Sequence, residues 1–187
     1  MKILLHHQVP FSFAHGGQQI QIEQTKQALE QIGLEVEFLR WWDDAQTADL
    51  LHSFCRIPTP LLRLARAKGM KVVVADLLTE QGSRSAAHLR TQKLASRILG
   101  RVLPGSLVAS FNWDAYRLAD ACVALTSHEA RLMNYLFGVP PEKLHVVPNG
   151  VETIFLQSRP APRGLWLVCT ATITERKRIL ELASAAV

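Results

Sequence analysis

Cysteine is scarce in this 187-residue chain, and Cys55, Cys122 and Cys169 have neither the paired spacing of a zinc site nor the even count of a disulfide framework. Each sits inside an apolar run, so reduced, packed thiols are expected. Also missing is any stretch near the roughly 20 uninterrupted apolar residues of a membrane-spanning helix; the first run, Ile3 to Leu5, meets His6 and His7 at once. No signal-peptide pattern is read either, and a soluble, cytoplasmic protein is expected. Aromatic residues make up only 7%. Trp41, Trp42, Trp113 and Trp166 are not arranged with the basic helix of residues 86–103, which argues against a nucleic-acid partner. Internal repeats and low-complexity tracts are absent.

What is present is a sizeable apolar fraction, 48% against 20% charged, enough to bury a core. The formal charge of +5 favours anionic partners without choosing among them. Short apolar runs alternate with helix-period segments, the rhythm of βα units and a mainly parallel sheet. Strands are expected at Lys2 to Leu5, Glu35 to Leu39, Leu50 to Phe54, Lys71 to Ala75, Ala121 to Leu125 and His145 to Val147. Between the first two, Ile22, Thr25, Leu29 and Ile32 share one face of a helix that stops at Gly33. Thr126 as N-cap with Glu129 three positions on, then Gly138 before Pro140 and Pro141, brackets another helix. The polar stretch from Thr79 to Ser85 reads as a mobile surface loop.

Gly16 and Gly17 lie directly before the first helix, where a backbone without Cβ atoms and the helix N-terminus suit a phosphate. The full GxGxxG spacing is absent, and Leu39-Arg40 stand where an acidic residue would end the second strand, so a dinucleotide cofactor is not supported. His6, His7 and His15 flank the same loop and offer a donor to a sugar hydroxyl or a proton relay. Asp76 follows the fourth strand and can hydrogen-bond a hydroxyl or cap a helix.

The ordered segment from Ala119 to Glu152 carries Asp120, Thr126, Ser127, Gly138, Lys143, Pro148, Asn149, Gly150 and Glu152. It closely resembles the hallmark stretch of GT-B glycosyltransferases of the large retaining family 4. The resemblance implies a doubly wound Rossmann-like N-terminal domain over residues 1–156, a linker over 157–164 and, from 165 to 187, the first strand and helix of an incomplete donor-binding domain. That strand is expected at Leu165 to Thr170, with a helix from near Glu175. It further implies a nucleotide-sugar donor and a saccharide or lipid-linked acceptor, with no cofactor and, since no Asp-x-Asp pair occurs, no metal. Donor contacts fall on Gly16, Gly17, Asn149 and Lys177, and acceptor-side positions on His15, Asp76, Thr126 and Ser127. The family's Arg before Lys177 is replaced by Ala171 or Thr172, while Arg176 and Arg178 bracket the lysine. Its two-glutamate donor motif is expected beyond Val187, so no catalytic residue is assigned and the chain is expected to be inactive alone.

Arg90, Lys93, Arg97 and Arg101 form a basic stripe on a helix predicted over Ala86 to Leu103, with Leu94, Ile98 and Leu99 away from it. Such a helix either packs on the sheet by its apolar face, the commoner arrangement, or docks peripherally on anionic lipid at the inner membrane face. Two alternatives stay open: a non-catalytic membrane-surface or anion-binding module, and a GT-B sugar-nucleotide epimerase.

Overall fold

The computed structural model describes residues 1–8, 10–12, 16–104, 107, 111–159, 164, 167–171 and 177–186, with the side chains of residues 79 and 80 excepted. His15 therefore lies outside the described residues, as do Leu165, Trp166, Thr172 and Arg176. The chain divides into two compact units, Met1–Asn149 and Gly150–Val187.

The first unit is built on six strands: β1 (Lys2–His6), β2 (Glu35–Phe38), β3 (Leu50–Ser53), β4 (Lys71–Val74), β5 (Ala121–Ala124) and β6 (Leu144–Val146). They lie in the order β2-β1-β3-β4-β5-β6, and every pairing is parallel. This is a Rossmann-like α/β sheet, as expected. Strand alternation sends Ile3 and Leu5 to one face and Leu4 to the other. On the first face they pack with Val36, Phe54 and Ile22 of α1 (Gly17–Gln31). On the second, Leu4, Leu51, Val72 and Val74 meet Leu62 of α2 (Thr59–Ala67) and, further along, Tyr116, Leu132 and Met133. Parallel strands buried on both faces explain the near-continuous apolar runs in the sequence.

Among the described residues, three helices follow β4: a single turn, α3 (Thr79–Gly82), then α4 (Ala86–Val102) and α5 (Asp114–Leu118). The stretch expected as a mobile loop thus begins as a helical turn, closed by the bond from Gly82 N–H to the Leu78 carbonyl at 2.8 Å and anchored by the buried Leu78. After β5 comes α6 (Ser127–Phe137), whose limits match the sequence signals. Thr126 Oγ1 accepts from Glu129 N–H at 3.1 Å. Gly138 ends the helix at φ 67°, ψ 32°, a left-handed conformation that costs a residue with a Cβ.

The packing of α4 differs from the commoner expectation. None of its residues is buried, and the apolar Leu94, Ile98 and Val102 are 60%, 50% and 74% exposed. Contact runs through Leu89, half-buried against the core, and through Lys93, whose Nζ lies 3.7 Å from the Tyr135 ring centroid on α6. Periodicity marks an apolar face without saying which side the protein covers.

The second unit holds α7 (Thr153–Gln157) and α8 (Ile179–Ala185). Residues 167–170 of the expected strand carry no strand assignment, and no neighbouring strand pairs with them among the described residues. A strand needs such a partner for its backbone groups. Cys169 is exposed there, unlike the buried Cys55 and Cys122. Among the described residues, no helix is long and apolar enough to cross a membrane.

Candidate functional site

The strand order reverses direction between β1 and β3, because the chain runs outward from β1 to β2 and then crosses back to β3. Open α/β sheets bind ligands at such a switch point, beyond the carboxyl ends of the strands. A cavity of about 740 Å³ lies there. His6 enters it from the end of β1, Trp41 from the segment after β2, Cys55 and Arg56 from the end of β3, and Asp76 from the end of β4.

His6 is 3% exposed. Its Nδ1 lies 2.8 Å from Ser53 Oγ, and that hydroxyl donates to the Cys55 carbonyl at 2.9 Å. Since the serine proton is committed, the histidine Nδ1–H is the donor and Nε2 keeps its lone pair. Nε2 has no protein partner among the described residues. Burial, aided by neighbouring His7, lowers the His6 pKa to about 4, so the ring is neutral at physiological pH. Trp41 meets it edge to face, with ring centroids 5.6 Å apart, and is itself 69% exposed.

On the opposite wall, Arg56, Tyr116 and Asp76 form a chain. Arg56 Nε donates to the Tyr116 hydroxyl at 2.8 Å, and that hydroxyl donates to Asp76 Oδ2. The guanidinium carbon lies 5.2 Å from the Tyr116 ring centroid and 5.4 Å from that of Phe137. Burial raises the Asp76 pKa above the ordinary carboxylate range, against the lowering effects of Tyr116 and Arg56. Burial also raises the Tyr116 phenol and the Cys55 thiol, which keeps both protonated. Asn112, at φ 53°, accepts from Thr59 N–H at 3.1 Å and so caps α2 beside the cavity.

The sequence candidates divide around this cavity. Asp76 lines it. Gly16 and Gly17 start α1 with no side-chain cap and no acidic residue in the first turn, and a Cβ on either would meet open space. That helix start is tied to the end of β3 by Gln18 Nε2 donating to the Phe54 carbonyl at 2.7 Å. Thr126 and Ser127 stand at the head of α6, outside the cavity lining, with the Thr126 hydroxyl spent on its cap. Asn149 is exposed at the end of the first unit, and Lys177 is exposed in the second. Arg90, Lys93, Arg97 and Arg101 all lie on α4.

Sequence reasoning missed Ser53, Arg56 and Tyr116. The strand end at Ser53 was visible, but Arg56 and Tyr116 are 60 positions apart and no motif links them. A family model described as a glycosyl transferase 4-like domain matches residues 16–150. No curated protein matches the chain.

Proposed function

The chain belongs to the glycosyl transferase 4-like family, and from that membership we propose that its first unit forms the acceptor side of a GT-B cleft. A sugar passes there from a nucleotide-sugar donor to a saccharide or lipid-linked acceptor. The observation that carries this is the switch-point cavity, where a neutral imidazole, an exposed indole, a carboxyl and a guanidinium converge. Sugars are held by such groups, with hydroxyls hydrogen-bonding polar side chains and C–H faces stacking on an aromatic ring. His6 Nε2 accepts from an acceptor hydroxyl, and Trp41 offers the apolar platform. As the glycosidic bond to the donor breaks, negative charge grows on the departing diphosphate. The uncapped start of α1 at Gly16 and Gly17, with Asn149, is assigned to offset it without a metal, and the anomeric configuration is retained.

Calorimetry against UDP-glucose, UDP-N-acetylglucosamine and GDP-mannose tests the donor assignment. One of them should bind, and Gly17→Val should weaken it while leaving thermal unfolding unchanged, because the added side chain enters open space. No binding to any nucleotide sugar would contradict the reading. Interconversion of the free nucleotide sugar without transfer would favour an epimerase instead.

The exposed apolar positions of α4 favour a second element of this proposal, peripheral contact with anionic lipid. Leu94, Ile98 and Val102 face outward, beside Arg90, Arg97 and Arg101. Buried apolar area and lipid-directed cations act together in such docking. Co-sedimentation should be strong with phosphatidylglycerol vesicles and weak with phosphatidylcholine vesicles, and equal binding to both would remove it.

A further inference from the structure

Among the described residues lining the cavity, Arg56 is the one with a fixed positive charge. Its placement is unusually determined. The Nε–H is spent on Tyr116, and the plane rests against the stacked rings of Tyr116 and Phe137, whose centroids are 4.4 Å apart. Asp76 lies beside Nε, with Oδ2 at 3.8 Å. Its carboxyl also accepts from the Tyr116 hydroxyl. The two Nη groups, with four N–H donors, are left without a protein partner among the described residues.

From this we infer that the acceptor carries a phosphate or carboxylate group, held bidentately by the Nη groups of Arg56. The inference rests on the cavity's being the acceptor site. A planar fork of donors matches the paired oxygens of a carboxylate or phosphate, and side-chain order already imposed by the rings lowers the entropy lost on binding. The surrounding apolar rings also strengthen attraction between opposite charges relative to water. A neutral diol would satisfy two donors and leave that attraction unused. Asp76, beside Nε of the guanidinium, acts as a positioning residue that aims Arg56 through Tyr116.

Titration of the full chain with glucose, glucuronate and glucose 6-phosphate, followed by tryptophan fluorescence, tests this. At least one charged sugar should bind about tenfold more tightly than glucose, the size of one charge-assisted contact. That preference should shrink as salt rises and vanish in Arg56→Gln. Arg56→Lys keeps the charge but loses the fork, so it should lose most of the preference while preserving fold, which covers the case of an unfolded glutamine variant. Equal affinities for all three sugars, no binding of any, or a preference intact in either variant would overturn the inference. Selectivity for a charged sugar without donor binding would instead leave it standing and contradict the transferase reading.

Discussion

Two regions invite comparison: the segment from Ala119 to Glu152, which carries the family resemblance, and the cavity at the β1/β3 switch point, which is proposed to take the acceptor. In the former, side chains hold backbone. Asp120 Oδ2 accepts from Val72 N–H at 2.8 Å, joining β5 to β4. Glu129 accepts from Leu125 N–H at 2.9 Å and from Leu78 N–H at 3.2 Å, binding the head of α6 to the start of α3. Lys143 Nζ donates to the carbonyls of Ala119 and Arg117 at 2.9 Å and 3.2 Å. In the cavity, by contrast, His6 and Arg56 keep donors or acceptors unspent. A motif strong enough to identify a family can be architecture, while the switch-point cavity is lined by residues that no motif marks.

The largest effect that separates the two regions is acid sensitivity. Burial lowers the pKa of His6 and of His52 on β3 to about 4, from an ordinary value of 6.5. The unfolded chain therefore binds more protons than the folded one between those values. Stability contributed by the neutral rings is complete above pH 6.5 and falls away as pH drops toward 4, by on the order of 3 kcal/mol per histidine. Urea unfolding from pH 7 to pH 4 should show this slope, and His6→Asn should flatten part of it. A slope unchanged in His6→Asn would place the acid response elsewhere.

Next in size is the core beneath the hallmark segment. Met133 is fully buried on α6, and Met133→Ala should cost about 2–5 kcal/mol in urea unfolding, with saccharide affinity per folded molecule unchanged. Glu129→Ala leaves two backbone N–H groups without their acceptor and should cost about 1–3 kcal/mol. Trp41→Ala should move stability by less than about 0.5 kcal/mol, since the residue is 69% exposed, yet weaken saccharide binding several-fold. A large loss of stability in Trp41→Ala would blur the comparison.

Legibility in the sequence follows the same division. The six strands of the sheet were readable within a residue or two because short, mostly apolar runs alternate with helix-period segments. The limits of α6 were readable because Thr126 and Gly138 are local signals. The Tyr116 to Asp76 bond spans 40 positions, and nothing local to Arg56 announces its partners. The outward apolar face of α4 was equally hidden, since a helical stripe does not state what covers it. Ile32, placed by its spacing on the packed face of α1, is 72% exposed at the helix's C-cap. Asp76 was found as the polar group nearest the end of the fourth strand, where the resembled family often carries a histidine that faces the sugar.

The central claim, that the switch-point cavity takes the acceptor while the hallmark segment supports the fold, is tested most directly by mapping amide chemical shifts as a saccharide is titrated. Perturbations concentrated at His6, Trp41, Arg56 and Asp76, with residues 127–137 unmoved, are predicted. Shifts centred on residues 127–137, with the cavity silent, would contradict it.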